Sequence, residues 1–250
     1  SLNLLQIDGN VTFTGGDGGD SGNTAGNGGL GGALEGITVK SSSIIDGNIV
    51  LNLGNGGEAN GTSGNGGDSG SMKRKWHAPN ILPASLNANA DDDGQGGDST
   101  GGVAGNGGGI SMFNFAAKGF TDGSVRFLAG DGGLLNGSSA PGGNGGSLEG
   151  ITVRTPLIFG DIELFAGNGG DNLTAGRGGD GGFVSKATVL PVISHGNVLV
   201  RAGNGGDGDA VGDGGLGGGI TVFKLTAMEV AGSVSVEGGN GGSAGNTAGN

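Results

Sequence analysis

The chain has 250 residues, 68 of them Gly and none Cys, with a formal net charge of −12. That charge disfavours nucleic acid and anionic membrane as partners, because both call for basic patches. The missing Cys excludes a disulfide framework and thiolate metal sites. No apolar run reaches the roughly 18 residues of a membrane-spanning helix, and Gly at this level with five Pro and no Gly-X-Y period is not collagen.

In chain order the sequence reads as copies of one unit. A strand-like motif, Gly-polar-Val/Ile-x-apolar, begins at Gly9, Gly47, Gly123, Gly160, Gly196 and Gly232. The steps are 38, 76, 37, 36 and 36 residues. The double step predicts a degenerate copy, and Ser71–Ala90 (SMKRKWHAPNILPASLNANA) occupies the expected place. The motif alternates with period two. One face carries Val11 and Phe13, Ile49 and Leu51, Val125 and Phe127, Ile162 and Leu164, Val198 and Val200, and Val234 and Val236. If the copies stack as parallel strands about 4.8 Å apart, these residues form continuous apolar columns. On the other face Arg126 then neighbours Glu163, and Arg201 neighbours Glu237.

A second strand is predicted before each motif: GITV at Gly36–Val39, Gly150–Val153 and Gly219–Val222, GISM at Gly109–Met112 and GFVS at Gly182–Ser185. Between the strands lie two glycine legs joined by a turn. In the legs the non-Gly residue recurs every third position, as with Asp17 and Asp20 or Asp213 and Leu216. Three residues per turn is the period of a polyproline-II-type helix, which makes no internal hydrogen bonds. Such legs must pair with neighbouring legs if they are buried. The chain begins late in one unit and stops inside a glycine hairpin, as a piece of a longer array or a stacking subunit would.

Chemistry-bearing residues are sparse. The turns are rich in Asp, and Ala166–Thr174 (AGNGGDNLT) approximates a calcium-binding nonapeptide. Asp171, Asp180 and Asp207 are therefore candidate calcium ligands, against the alternative that Asp simply favours turns. Calcium is the one cofactor these residues suggest. The degenerate copy holds the densest basic cluster and the sole Trp, so Trp76 and Arg74 are candidate interface anchors. The outward Leu128, Phe165 and Leu199 are candidates for lateral contacts. His77 and His195 fall in different units, and His195 reads as a turn residue. The many GxGxxG matches carry no weight in a chain this rich in Gly. Asn10, Asn60, Asn136 and Asn172 head Asn-X-Ser/Thr sequons, about the number chance supplies.

The recurring GNVxLxxG strands, GNGG tracts and GITV strands resemble Gly-rich secreted bacterial β-strand-repeat proteins, relatives of filamentous-haemagglutinin-type β-solenoids. The glycine tracts are also similar to the polyglycine-II bundles of some phage tail-fibre adhesins and insect antifreeze proteins. These resemblances imply surface attachment, fibre building or ice binding. The expectation is a single elongated all-β domain over residues 1–250. It is a parallel β-solenoid-like stack of about seven 36–38-residue units with polyglycine-II-type legs. Its expected role is non-enzymatic: part of an extracellular fibre or cell-surface adhesin that stacks end to end with itself, with surface glycans as further partners. No nucleic acid and no membrane insertion are expected. The alternative is an ice- or carbohydrate-binding module, for which Thr38, Thr152 and Thr221 would supply a repeated Thr row. An enzyme of the pectate-lyase type would need carboxylates clustered in one groove, and the sequence offers no such cluster.

Overall fold

The computed structural model describes residues 2–4, 6–22, 24–41, 45–75, 84–90, 97–209 and 212–245. Over these residues the chain is an all-β parallel solenoid without helices. The period-two motifs form strands β1 (Val11–Thr14), β2 (Ile49–Asn52), β3 (Leu86–Asn89), β4 (Val125–Leu128), β5 (Ile162–Phe165), β6 (Val198–Arg201) and β7 (Val234–Glu237). They stack in sequence order into one seven-stranded parallel sheet. The register is the one the repeats predict, with Val125 beside Ile162 and Ile162 beside Val198. The degenerate copy keeps its place: β3 lies between β2 and β4. The rest of that copy, from Trp76 to Pro83, lies outside the described residues.

Alternation decides which face is buried. Ile49, Leu51, Val125, Phe127, Ile162, Leu164, Val198 and Val200 are all inside. The facing sheet adds Ile110, Phe113, Phe115, Val153 and Val189 to the same core. Phe113 meets Phe127 edge to face across the two sheets, with ring centroids 4.9 Å apart.

The facing sheet corrects the expected second strand. Several described rungs make a short strand, a sharp bend, and then a further strand, while Ile110–Ala116 runs through the bend as one strand. The first strands include Leu34–Glu35, Leu148–Glu149, Val184–Ser185 and Ile220–Thr221. The second include Thr152–Ile158 and Thr188–Ser194. The bend residue is left-handed: Gly36 (φ 68°), Met112 (φ 54°), Gly150 (φ 67°), Lys186 (φ 52°) and Val222 (φ 57°). The repeated GITV letters therefore occupy two different places. Gly36–Val39 and Gly150–Val153 begin at the bend, whereas Gly109–Met112 and Gly219–Val222 end on it. Both sides of the bend are rich in β-branched residues, so letters alone could not separate them. The Thr row dissolves with this correction. Thr152 lies beside Thr188, but their column continues to Asn114 and Lys224, while Thr221 pairs with Ser185 at the other position.

The inner glycine legs bond their backbone through neighbours rather than within the leg. In the triplet Gly142–Asn144, the Gly142 N–H donates to Arg177 O in the next rung (2.9 Å). The Gly143 N–H donates to Gly133 O in the other leg of its own rung (2.9 Å). The Asn144 N–H donates to the side-chain Oδ1 of Asn106 in the rung beneath (2.9 Å). A Cβ at Gly143 would overlap the carbonyl oxygen of Gly105, and one at Gly142 that of Gly170. Only the third position faces outward with room for a side chain.

Seven strands at about 4.8 Å spacing make a stack about 29 Å tall. A β-strand and its collinear glycine leg, such as Val125–Leu135, run about 34 Å at 3.1–3.4 Å per residue. The β1–β7 array is thus about as tall as such a strand and leg are long.

Substitutions at two positions separate these contributions. Gly143→Ala forces a methyl into a backbone oxygen and is expected to cost about 3 kcal/mol or more. Asn144→Ala removes only the outward acceptor and should cost about 1 kcal/mol, while Asn144→Asp keeps the acceptor and should lie nearer the native value. At the bend, Met112→Gly relieves a left-handed side chain that is largely exposed, and should raise stability by up to about 1 kcal/mol. Denaturant melts of the four variants check all of these values.

Candidate functional site

The outward positions of the glycine legs form the most regular chemical surface of the molecule. Asp or Asn recurs there because the outward N–H of each triplet needs an acceptor that the backbone does not supply. Asp17 Oδ1 accepts from the Asn55 N–H, Asn65 Oδ1 from Val103, Asn144 Oδ1 from Asp180 and Asn168 Oδ1 from Asn204, each at 2.9 Å. The result is ladders of side-chain-to-backbone bonds running up the outside of the stack. Some outward positions lack such an acceptor, Leu30, Leu134, Pro141 and Arg177 among them, but one of the exceptions is matched from above. Val103 has no side-chain acceptor, and the register places Pro141, which has no N–H, directly above it.

This arrangement accounts for the three proposed calcium ligands. Asp171 Oδ1 accepts from the Asp207 N–H (2.7 Å), and Asp207 Oδ1 from the Ser243 N–H (2.6 Å). Asp180 Oδ1 accepts from the Leu216 N–H (2.8 Å) on the other leg, and its carboxylate also pairs with Arg177. Asp171 and Asp207 are successive steps of one ladder, and Asp180 does not join them. Within the nonapeptide-like stretch, Asn168 and Asp171 are one triplet apart, about 9 Å along the leg. The side-chain oxygens Asn168 Oδ1 and Asp171 Oδ1 each accept a backbone N–H of the next rung. Among the described residues, no group of three or more His, Asp or Glu is placed to hold a metal ion.

The proposed lateral contacts lie on the outer face of the β1–β7 sheet, all half-buried. Leu128 and Phe165 are register neighbours, and Leu199 falls in the adjacent column beside Glu163. The expected Arg126–Glu163 ion pair forms. The expected Arg201–Glu237 pair does not, although the two are register neighbours. Arg201 instead lies over the Phe165 ring, 4.9 Å from its centroid, and Glu237 accepts from the Ser235 hydroxyl (2.6 Å). The ring offers the guanidinium a closer partner on the rung beneath. A further ion pair crosses rungs at the bend: Lys186 Nζ meets Glu149 Oε1 at 2.8 Å, and that hydrogen bond raises the lysine pKa above its ordinary value.

Arg74 has its backbone in the strand Met72–Lys75, next to the bend of the neighbouring rungs. Its side chain, and Trp76 and His77, lie outside the described residues. His195 stacks on Phe159 in the rung beneath, with centroids 5.1 Å apart and planes 13° apart, as a bend residue rather than part of a catalytic set. Asn172, one of the sequon residues, is buried, and its Nδ2 donates to Ala140 O at 2.6 Å.

Two recesses were not foreseen. A groove of about 660 Å³ runs along the outside of the post-bend strands, lined by Leu190, Pro191, Val192, Pro156 and Met228 with Lys118 and Arg154 at its edge. The post-bend strands were not recognised as separate elements, so nothing in the sequence reading brought these residues together. A smaller recess of about 230 Å³ on the β1–β7 sheet is lined by Asn52, Asn87, Asn89 and Arg126, and Asn87 Oδ1 has no hydrogen-bond partner among the described residues.

No protein-family model, curated protein or solved structure matches the chain.

Because each candidate carboxylate is already bound to a backbone N–H of the next rung, chelation is expected to leave the array unchanged. A thermal melt in excess EDTA should give the same midpoint as one in added calcium. A rise in midpoint with calcium would restore the metal reading.

Proposed function

We propose that this chain is a non-enzymatic structural module, a subunit or segment of an extracellular fibre or cell-surface adhesin, that associates with further copies of itself by stacking rung on rung. The observation that carries this reading is the sameness of the inter-rung interface. The described rungs meet one another through the same apolar columns, parallel strand pairings in both sheets and the ladders of Asp and Asn acceptors. β7 illustrates what a rung offers. Val234 and Val236 are 49 % and 47 % exposed, whereas Val198 and Val200 directly beneath them are 0 % and 1 %. A second copy presenting a strand in the same register covers that surface with interactions the chain already makes six times over between β1 and β7. The likeness of its repeats to secreted β-strand-repeat proteins supports the same reading. So does its outward chemistry, in which the carboxylates serve as structural acceptors.

Open, regularly paired strand surfaces template further pairing, and a head-to-tail contact that does not close produces a filament. Replacing Val234 and Val236 by Lys places two charges on that surface without touching the inner rungs. Sedimentation velocity and negative-stain imaging over a concentration series are expected to show growing, linear assemblies for the native chain. The double variant should show none, with its melting midpoint within a few degrees of the native one. Discrete monomers at every concentration for the native chain, or unchanged assembly by the variant, would overturn the proposal.

A further inference from the structure

The stack is unusually rich in Asn-Gly dipeptides, the pair most prone to deamidation. In that reaction the Gly backbone nitrogen loses its proton and attacks the Asn side-chain Cγ. A new C–N bond closes a succinimide ring, and the amide nitrogen leaves as ammonia. Water then opens the ring at either carbonyl, giving Asp or isoaspartate. Gly permits it because no side chain blocks the approach. The reaction needs a free Gly N–H and an Asn side chain free to rotate onto it.

At Asn27, Asn65, Asn106, Asn144, Asn168 and Asn204 neither group is free. The following Gly N–H in each case donates to a carbonyl of the next rung, at 2.8–2.9 Å. The Asn Oδ1 in each case accepts a backbone N–H from that same rung, at 2.9 Å. Attack requires both bonds to break together, which means parting two rungs.

Two dipeptides at the hairpin tips differ. Asn136 is exposed, and its side chain makes no hydrogen bond among the described residues. Gly137 beside it has φ 111° and donates only to the Thr174 hydroxyl, at 3.1 Å. Asn60 is exposed, with its Nδ2 on Glu58 Oε2 at 3.3 Å, and the Gly61 N–H has no partner among the described residues.

We propose that the ladder bonds chemically protect these six of the eight outward Asn-Gly pairs, and that Asn136 and Asn60, at the hairpin tips, are sites at which this protein deamidates. The ladder thus has a second role besides cohesion: it keeps a labile dipeptide usable in a long-lived array. Protection of this kind is set by how often a rung opens.

The test is a time course of the purified chain in mildly alkaline buffer, read by peptide mapping that distinguishes Asn, Asp and isoaspartate. The same chain in denaturing guanidinium supplies the unprotected rate at every site. The expected result is reaction at Asn136 and Asn60 within a fewfold of their denatured rates, with the six ladder residues at least ~10-fold slower than theirs. Thr174→Ala, which frees the Gly137 N–H, should raise the rate at Asn136 and nowhere else. Ladder residues reacting at their denatured rates would overturn the protection. Tip residues as slow as the ladder residues would overturn the site assignment.

Discussion

The structure depends on one constraint: a glycine leg of three residues per turn makes no hydrogen bonds to itself. Every N–H and C=O it carries must find a partner outside the leg or face water, and an unpaired buried group costs about 1–3 kcal/mol. The chain meets this with three directions of bonding in each triplet. One N–H goes up the stack, one crosses to the other leg, and one faces outward to a side-chain acceptor. Gly is needed at the two inward positions because neighbouring carbonyl oxygens stand where a Cβ would be. The high entropy cost of ordering Gly is therefore tied to a close approach that no other residue allows, and the stacked array is what offsets it.

The same constraint explains where the unit length can vary. Within the legs the outward residues stay three apart in every described rung, as in Asn168 and Asp171 or Arg177 and Asp180. An inserted residue there would turn a side chain into the packed interior. The hairpin tips carry no such phase. Leu134 and Pro141 are seven residues apart, whereas their counterparts Asp171 and Arg177 are six apart. The shift from 38- to 36-residue units is absorbed at such tips and between Ala116 and Phe120, where the step falls from 38 to 37, while both the legs and the β1–β7 columns remain in register. The left-handed residue at the bend is fixed in the same way. It is Gly in some rungs and Met112, Lys186 or Val222 in others, so the surrounding strand pairings impose the conformation even where the residue disfavours it.

The β1–β7 sheet was legible in the sequence because period-two alternation and a repeating interval specify both face and register. The degenerate copy could be placed for the same reason, since Leu86 and Ala88 keep the apolar positions. The glycine legs were legible through their three-residue spacing. The facing sheet was legible only as one strand per unit, because its two short strands have the same β-branched composition and the bend between them carries no fixed residue type. The outward Asp and Asn residues were seen but misread. Their role is not local to the turn or to one rung. It appears only when each residue is set beneath its counterpart one repeat on, where the acceptor meets the N–H. Val103 beneath Pro141 was the available clue, and it needs the register before it can be read.

The ladder also settles why Asn and Asp are mixed rather than uniform. Carboxylates at successive steps would stand about 4.8 Å apart and repel. An Asn above an Asp instead adds a second bond. The Asn106 Nδ2 donates to Asp68, the Asn168 Nδ2 to Asp131 and the Asn197 Nδ2 to Asp161, at 3.0–3.1 Å. Each of these Asn residues accepts in turn from the rung above. Asn over Asp is therefore the favoured step, since it links two side chains as well as a side chain and a backbone. Asp171 beneath Asp207 and Asp20 beneath Glu58 are described steps in which two carboxylates follow one another. Deamidation of Asn106, Asn144 or Asn168 would place a new carboxylate next to Asp68, Asp180 or Asp131, so the bonds that hold these side chains in place also keep like charges apart at these steps.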